Sequence, residues 1–374
     1  MTMPFKFLSA CMAGLLSACT LLPPPAKPAR YQARDWASLP GWQQNDPLPG
    51  FLAWRRGCEK LKTSAIWSDT CEAASSVPQE ADAVRRFLET QLQPLQLHNP
   101  DGSSTGLITG YYEPVYPGSL TRTETTPYPL YSEPQDLVTV ALDTVYPELK
   151  GKRLRGKIEG RRLTPYPAAA SILKNGVDAP ALAWLSDPLD VQFMQIQGSG
   201  RVKLNDGSEL RLGYANQNGH PYKPIGRWLI EQGQLSAGEV SMQSIRAWAN
   251  RNPEKIDALL ASNPSYVFFR RLPESQEGPI GSLNVPLTAA HSIAIDPTMI
   301  TLGSPVYIAT TRPDDASAIN RLVAAQDTGG AIRGQVRADF FWGTGQEAGE
   351  LAGKMKQSGQ LWLLWPRSKA LPAN

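Results

Sequence analysis

The sequence predicts a mainly β fold with some helices, arranged as two domains or as one domain with a large insertion. The chain has 374 residues, and soluble domains usually hold about 100–200 residues. Its 33 prolines, 31 glycines and 19% charged residues are typical of a loop-rich globular protein rather than of a disordered or coiled one. Short apolar runs between turn residues fill the last part of the chain, which is the pattern of a small barrel.

The N-terminus has the pattern of an export signal. Lys6 precedes an apolar stretch at residues 7–16, which is too short to span a bilayer. The stretch leads into LSAC, which resembles the lipobox of bacterial lipoproteins, where the cysteine thiol receives diacylglycerol; an ordinary signal cut near a cysteine is the alternative. We therefore expect a signal peptide at residues 1–18, lipid on Cys19, and the anchor with a proline-rich tether at residues 19–40.

The residue after the lipobox cysteine indicates which of the two bacterial membranes holds the lipoprotein. Thr20 is not the aspartate that retains bacterial lipoproteins in the inner membrane, so we expect an outer-membrane lipoprotein that faces the periplasm of a Gram-negative bacterium. The periplasm is oxidising, so Cys58 and Cys71, the remaining thiols, can form a local disulfide; two separate buried thiols are the alternative. The formal net charge of +3 is too small to recruit nucleic acid, which is not expected as a partner.

Helical periodicity occurs near residue 80 and again in the middle of the chain. Apolar residues recur at helical spacing through residues 78–92 and predict one amphipathic helix. Three further helices are predicted at residues 225–232, 241–250 and 253–261. The last of them has Asn252 as its predicted cap.

Short β-like runs lie on both sides of the mid-chain helices. Before them, between about residues 109 and 222, LVTVALDTV and VQFMQIQG are predicted strands between Pro- and Gly-rich turns. After them, the predicted strands are SYVFFR, PLTAAHSIAID, SPVYIATT, LVAAQD, RADFFW and LWLLW.

Asp327 and Asp339 stand among small residues near the C-terminus and are candidate catalytic acids. Asp327 opens a D-T-G triplet of the aspartic-protease type, but that mechanism needs a second copy and the sequence holds no other D-T-G or D-S-G. The GTGQEA segment at residues 343–348 fits a dinucleotide-binding pattern, but no βαβ continuation follows it. A glycine turn that enters a C-terminal helix is the preferred interpretation.

Two other classes of site are disfavoured. His98, His220 and His291 are widely separated and have no ligand spacing, so no metal site and no cofactor are predicted. Ser199, in QGSGR, lacks the glycine spacing of a nucleophile elbow, which argues against a serine hydrolase.

Aromatic and amide side chains of the central region are typical of a glycan groove. Aromatic faces pack on sugar rings, while amides and hydroxyls satisfy sugar hydroxyl and N-acetyl groups. A sheet surface that merely carries such residues is the alternative interpretation. The candidates are Tyr111, Tyr112, Gln195, Gln197, Tyr214, Asn216, Asn218 and Tyr222.

Several stretches together resemble the membrane-bound lytic murein transglycosylase A (MltA) family. The resemblance runs from about residue 50 to about residue 365, and its C-terminal part is similar to the three-aspartate (3D) domain, whose acids here are Asp296, Asp327 and Asp339. The stretches are TGYYEP, MQIQGSGRV, GYANQNGHPY, NPSYVFF, GSLNVPLTAAHSIAID and QDTGGAIRGQVRADFFWG.

The resemblance implies a fold of two domains with a groove between them. The larger would contain a double-psi β-barrel, and the smaller would be a β-barrel inserted into it. We assign residues 41–112 and 226–367 to the larger domain and residues 113–225 to the insertion.

The resemblance also implies the activity. The family cleaves the β-1,4 bond between N-acetylmuramic acid and N-acetylglucosamine of peptidoglycan without water, because the muramic acid 6-hydroxyl attacks C1 and leaves a 1,6-anhydro end. An intramolecular nucleophile reduces the need for a second carboxylate, so one acid can serve as acid and base. A non-catalytic peptidoglycan-binding lipoprotein and a two-carboxylate glycosidase remain the alternatives.

Family matching places the acid/base role on Asp339 and supporting roles on Asp327 and Asp296. Asp339 should be neutral at working pH, which requires a raised pKa, and strand alternation should point Asp339 and Phe341 to one face. Expected partners are glycan strands, the outer membrane through the lipid, and cell-wall synthesis or divisome proteins. The expected glycan contacts are Thr109, Tyr111, Tyr112, Gln195, Gln197, Ser199, Tyr214 and Asn218.

Overall fold

The computed structural model describes residues 30–149, 152, 154–275 and 277–372. The predicted signal peptide, Cys19 and most of the predicted tether lie outside the described residues. None of the helices in the described ranges is long and apolar enough to cross a membrane.

Helices and strands alternate irregularly along the chain. The helices are α1 (Leu48–Leu61), α2 (Ser68–Ser75), α3 (Ala81–Gln91), α4 (Ala169–Asn175), α5 (Pro188–Gln197), α6 (Ile225–Glu231), α7 (Met242–Arg251), α8 (Ile256–Ala261) and α9 (Gln346–Lys354). The strands are β1 (Tyr31–Ala33), β2 (Leu92–Leu97), β3 (Gly106–Glu113), β4 (Val115–Ser119), β5 (Tyr128–Tyr131), β6 (Val138–Val140), β7 (Leu154–Glu159), β8 (Arg162–Thr164), β9 (Ala181–Leu185), β10 (Ser199–Lys203), β11 (Glu209–Gln217), β12 (Val267–Arg271), β13 (Ser292–Ile295), β14 (Pro305–Thr311), β15 (Ala318–Thr328), β16 (Arg337–Thr344) and β17 (Lys356–Pro366).

The larger domain is built on a closed six-stranded barrel. Its strand order is β17-β14-β15-β13-β16-β3, and β3 pairs again with β17 to close the ring, while β2 and β1 extend from β17. The apolar faces of these strands pack with α1, α2 and α3 in the largest core, in which Trp54, Trp67 and Trp365 are buried. This barrel and the mainly β content confirm the predicted fold class.

The smaller domain holds a second six-stranded sheet in the order β12-β11-β10-β4-β9-β5. A bridge between Ser132, which follows β5, and Phe269 of β12 joins the two edges, so this sheet also closes. A separate three-stranded sheet, β6-β7-β8, belongs to the same part of the chain.

The packing of β12 and of helices α6, α7 and α8 bears on where the insertion ends. β12 pairs with β11, and α6, α7 and α8 pack with Leu189 and Phe193 of α5 rather than with the larger barrel. We therefore propose that the insertion ends near residue 272, in place of the boundary predicted at residue 225.

One predicted strand is wrong. VQFMQIQG forms most of α5, because the Asp187 carboxylate accepts a hydrogen bond from the Leu189 N–H at 2.8 Å and Pro188 occupies the first turn. Gly198 ends the helix in the left-handed conformation, at a φ of 74°. The predicted helices near residues 78–92, 225–232, 241–250 and 253–261 are present with small shifts of their ends, although the Asn252 side chain makes no capping hydrogen bond. LVTVALDTV contains only the short strand β6.

A disulfide links two helices of the larger domain, and a buried ion pair links the two domains. Cys58 of α1 and Cys71 of α2 form a disulfide. At the crossover into the insertion, the fully buried Glu113 accepts hydrogen bonds from Arg201 Nε and from Thr344 Oγ1, each at 2.9 Å. Because Thr344 ends β16 and Arg201 lies on β10, this ion pair ties the strand that carries Asp339 to the inserted sheet.

Candidate active site

Asp339 lies in the middle of β16, between two neighbouring barrel strands. It pairs with Ala294 of β13 on one side and with Thr109 of β3 on the other. Since directly paired residues share a face of the sheet, the side chains of Thr109, Asp339 and Ala294 form one row. Phe341 packs with Ala294, whereas Phe340 and Trp342 stack at 5.0 Å on the opposite side, as strand alternation predicted.

A chain of hydrogen bonds orients the Asp339 carboxyl. The Thr109 hydroxyl donates to Asp339 Oδ1 at 2.5 Å, and Arg337 Nη2 donates to Thr109 Oγ1 at 2.8 Å. A guanidinium can only donate, so Arg337 occupies the acceptor side of Thr109 and leaves its proton for Asp339. Oδ1 is therefore held as an acceptor, and Oδ2 is the oxygen on which an acidic proton belongs.

The surroundings of Asp339 favour its protonated form. Burial raises its pKa to about 6, against the hydrogen bond from Thr109 and the charge of Arg337, which lower it, and with a further rise from Asp327. The residue nevertheless keeps partial exposure to solvent. A carboxyl that is desolvated but accessible, with a pKa close to neutral pH, is suited to general acid and base catalysis.

Asp327 lies on β15, which pairs with β13 on the side opposite to β16. It pairs with Ala294 of β13, the residue that also faces Asp339. A bulge places it there, because Ala325 pairs with Ile293 and Asp327 with the very next residue, leaving Gln326 out of the register. The side chain of Gln326 is buried, where it bonds Ser292 and the Ala53 carbonyl, each at 2.7 Å. The bulge thus brings Asp327 to the face of Asp339.

The hydrogen bonds of Asp327 gather on one oxygen. Its Oδ1 accepts from the Ser282 N–H at 2.9 Å, the Ser282 hydroxyl at 2.8 Å and the Thr328 N–H at 2.9 Å. Burial nonetheless raises the pKa of Asp327, against these hydrogen bonds. Asp327 therefore ties the segment of Ser282 to the barrel and places a second carboxyl beside Asp339.

Tyr111 forms one wall of this site. It is buried against Phe341, with ring centroids 5.2 Å apart, in a cluster with Leu287 and Ile332. Burial raises its pKa well above the ordinary value, and the charges of Asp327 and Asp339 raise it further. Tyr111 thus remains a neutral hydroxyl beside both carboxyls.

Asp296 has a different environment, one residue beyond the end of β13. Its Oδ1 accepts hydrogen bonds from the Thr298 N–H and hydroxyl at 3.1 and 2.7 Å, and its Oδ2 accepts from the Gly334 N–H at 3.0 Å. Burial alone would raise its pKa, but these hydrogen bonds outweigh burial and lower it. Asp296 is therefore an ionised turn cap that holds the loop before β16.

The other glycan contacts predicted in TGYYEP and MQIQGSGRV divide between the site and the interior. Tyr112 points away from Asp339 and packs against Ala348 and Ala352 of α9. Gln197 is partly exposed and accepts a hydrogen bond from the Tyr112 N–H at 3.2 Å. Gln195 and Ser199 are buried in the inserted domain, with 7% and 8% of their surface exposed, which leaves little of either for a ligand.

The glycan contacts predicted in GYANQNGHPY lie on β11 of the inserted domain and just after it. Asn218 is almost fully buried, and its amide donates to the Pro167 and Pro264 carbonyls at 2.9 Å while accepting from the Tyr266 N–H at 2.9 Å. It is therefore a structural residue rather than a glycan contact. Asn216 is also buried and bonds Glu133 at 2.6 Å. Tyr214 and Tyr222 keep exposed surface and remain candidate contacts.

Sequence reasoning missed two residues of the site. Arg337 stands two positions before Asp339, and strand alternation alone could have placed both on one face. Ser282 follows the glycine in GSLNVP, and only the fold brings it to Asp327. Within the described ranges, no group of three or more His, Cys, Asp or Glu side chains is arranged to hold a metal ion.

Known proteins resemble the chain over both parts of this site. The family model described as the MltA specific insert domain matches residues 107–270, and the 3D domain model matches residues 291–365. A membrane-bound lytic murein transglycosylase A of Escherichia coli is 34% identical over 276 residues, which are 72% of this chain and 68% of that protein.

Solved structures agree over nearly the whole length. The MltA crystal structure from Neisseria gonorrhoeae is 40% identical, with a TM-score of 0.80, over 91% of this chain and 93% of that one. The structure of E. coli MltA with bound chitohexaose is 25% identical, with a TM-score of 0.68, over 90% of this chain and 95% of that one. The chain belongs to the membrane-bound lytic murein transglycosylase A family.

Proposed function

We propose that the chain is a lytic transglycosylase of peptidoglycan that uses Asp339 as its single acid and base. It would cleave the β-1,4 bond between N-acetylmuramic acid and N-acetylglucosamine and leave a 1,6-anhydro end. The observation that carries this proposal is the state of Asp339, whose pKa burial raises to about 6 while Thr109 holds one of its oxygens. Names of relatives that are lytic murein transglycosylases support it.

In the proposed reaction one carboxyl serves both steps. Asp339 gives the proton on Oδ2 to the departing glycosidic oxygen as the bond from C1 breaks. The muramic acid 6-hydroxyl attacks C1, and its proton passes to the Asp339 carboxylate, so the acid is regenerated. Water takes no part, and the nucleophile is held at high effective concentration by the sugar itself.

Asp327, Tyr111 and Arg337 would act through Asp339. The charge of Asp327 raises the pKa of Asp339, and the charge of Arg337 lowers it. These two opposed influences keep the pKa of Asp339 close to neutral pH. The Tyr111 hydroxyl stays protonated and is fully buried, so it would act on the two carboxyls rather than on a sugar.

The groove contacts that we propose are a reduced set of those predicted from the sequence. Thr109 borders Asp339, and Gln197 lies at the junction with the inserted domain. Tyr214 and Tyr222 offer partly exposed rings on the inserted domain, on which sugars can pack. Bound chitohexaose in the E. coli relative supports a glycan as ligand.

For location, we propose lipid attachment at Cys19 and an outer-membrane position facing the periplasm. The lipobox-like LSAC and the residue Thr20 carry this proposal, and relatives are named membrane-bound. Cell-wall synthesis or divisome proteins are the partners that this position would offer.

The products of sacculus digestion test the activity. Purified sacculi treated with the protein should release muropeptides with 1,6-anhydro ends, and Asp339→Asn should release almost none while still binding sacculi. Reducing ends, or incorporation of solvent oxygen, would instead identify a two-carboxylate hydrolase. Undiminished function of Asp339→Asn would identify a binding protein without catalysis.

A further inference from the structure

The three-stranded sheet of the inserted domain has an apolar face that no described core covers. Leu154 pairs with Val140, and Ile158 pairs with Leu163, so alternation places these side chains on one face together with Val138. Leu154, Ile158 and Leu163 are 41%, 59% and 45% exposed. None of the five belongs to a hydrophobic cluster of the described residues.

The segment between the first two strands of this sheet exposes further apolar side chains. Leu142, Val145 and Tyr146 are 46%, 67% and 50% exposed. Six of the thirteen large apolar side chains exposed in the described part of the chain therefore fall within residues 142–163. Monomeric soluble proteins seldom expose apolar residues in such a contiguous group, and a group of this kind marks an interaction site.

The same segment concentrates positive charge. Residues 150–162, KGKRLRGKIEGRR, contain seven lysines and arginines and one glutamate, a net charge of +6. The whole chain carries +3, so the remainder carries −3. Lys152 and Arg161 are exposed and stand just before and just after β7, at the two ends of the apolar face, whereas Arg162 pairs with Glu159 and lies on the opposite face.

The opposite face of the sheet rests on the inserted domain. Arg155 Nε donates to Asn216 Oδ1 of β11, and the Cα and Cβ atoms of Arg155 approach Gly219 closely. Lys157 is paired with Glu159 at 2.7 Å. With one face held in this way, the apolar face and its flanking cations point outward.

We propose that this surface, formed by β6, β7, β8 and the exposed residues Leu142, Val145 and Tyr146, docks on an anionic lipid bilayer. A bilayer offers phosphates for the lysines and arginines and an apolar layer for Tyr146, Ile158 and Leu163. Glycan strands carry carboxylates but have no apolar layer to receive these side chains. The contact would be a second attachment, beside the lipid proposed on Cys19, and would fix how the catalytic groove faces the wall.

Vesicle binding tests the proposal in the full chain with Cys19→Ser, which carries no lipid at that position. Co-sedimentation should be strong with phosphatidylcholine vesicles that contain phosphatidylglycerol, weak with phosphatidylcholine alone, and weaker in high salt. Lys152→Glu with Arg161→Glu should reduce binding about 25-fold or more, because each cation near an anionic surface contributes about five-fold. Ile158→Ser with Leu163→Ser should reduce it about ten-fold or more.

Matched controls separate this surface from general effects. Leu120→Ser with Leu371→Ser removes apolar side chains that are 48% and 59% exposed elsewhere, and Arg86→Glu with Arg251→Glu reverses two exposed arginines elsewhere. Both controls should bind vesicles like the parent. Equal losses in the controls and the surface variants would overturn the proposal. So would unchanged vesicle binding by the surface variants accompanied by lost binding to sacculi, which would assign the surface to the wall.

Discussion

Asp339 lies on β16 and Asp296 directly follows the neighbouring strand β13, yet their surroundings move their pKa values in opposite directions. Burial raises the pKa of Asp339 to about 6, and its Oδ1 alone accepts the hydrogen bond from Thr109. Asp296 accepts hydrogen bonds at both oxygens, which hold its pKa below the usual value despite burial. A carboxyl with one oxygen free of donors can keep a proton, whereas one with donors on both oxygens stays ionised.

Asp327 shows that the number of donors alone does not decide this difference. It accepts hydrogen bonds from Ser282 and Thr328, all at Oδ1, and its pKa is still raised by burial. The contrast between Asp339 and Asp296 thus depends on which oxygens accept hydrogen bonds and on how far each carboxyl is desolvated. The familiar D-T-G triplet at Asp327 carries none of this information.

The largest expected effect is that of Asp339→Asn. An amide of the same shape cannot transfer the proton, so kcat should fall by about 10²–10⁴. The variant should also be more stable at pH 8, because the carboxylate is disfavoured in the folded state: the difference between a pKa of 3.8 and one of about 6 corresponds to about 3 kcal/mol. This destabilisation of the parent protein by the Asp339 carboxylate is absent below pH 3.8 and complete above about pH 6.

Thermal unfolding and muropeptide release would measure the two effects together. A large loss of activity with a higher Tm at pH 8 supports an acid held in a desolvated site. An inactive variant with a lower Tm would instead point to damage of the fold.

A smaller effect is expected for Asp327→Asn. Loss of its charge should lower the pKa of Asp339, since that charge raises it. The alkaline limb of the kcat/KM profile should then move to lower pH, and activity at pH 7 should fall about ten-fold for each pKa unit. Asp296→Asn is the control, and a limb that moves equally in both variants would contradict the comparison.

Thr109→Val should move the alkaline limb of the kcat/KM profile to higher pH and should lower kcat/KM at the optimum a few-fold. It removes the hydrogen bond that lowers the pKa of Asp339, a loss of about 0.5–1.5 kcal/mol. Thr109→Ser retains the hydroxyl and should restore the profile. A limb that is unmoved in Thr109→Val would show that Oδ1 is not oriented by this hydroxyl.

Asp296→Asn should have the smallest effect on activity and a measurable one on stability. The amide cannot accept at both positions, so unfolding free energy should fall by about 1–2 kcal/mol. The pKa of Asp296 in the folded protein lies below the unfolded value of 3.8, so its ionised carboxylate stabilises the fold above pH 3.8. This stabilisation is lost as the pH falls through the lowered pKa of Asp296. Denaturant unfolding at pH 7 and pH 3 should therefore differ less in Asp296→Asn than in the parent protein.

Several parts of this site could be predicted from local sequence, because they depend on local periodicity. Alternation along RADFFW placed Asp339 and Phe341 together, and the glycine turn at Gly345 leads into α9 as expected. VQFMQIQG favours a strand by its pattern, because apolar residues partly alternate with three glutamines, but the caps of α5, Asp187 and Gly198, outweigh that pattern.

Other parts depend on contacts between distant segments, which no local pattern encodes. The bulge at Gln326 exists because its side chain bonds Ser292 and Ala53 in the core, and without it Asp327 would face away from Asp339. Asn218 matched a glycan motif, but its amide is consumed by three backbone groups. Burial of a polar residue could not be told from exposure by type alone.

Titration of the Asp339 carboxyl is the most direct test of this account. In protein labelled with ¹³C at aspartate side-chain carboxyls, the resonance that disappears in Asp339→Asn should titrate with a midpoint of about 6. That midpoint should rise in Thr109→Val and fall in Asp327→Asn. A midpoint near 3.8 that neither variant moves would mean that Asp339 is an ordinary ionised carboxylate, and the single-acid mechanism would fail.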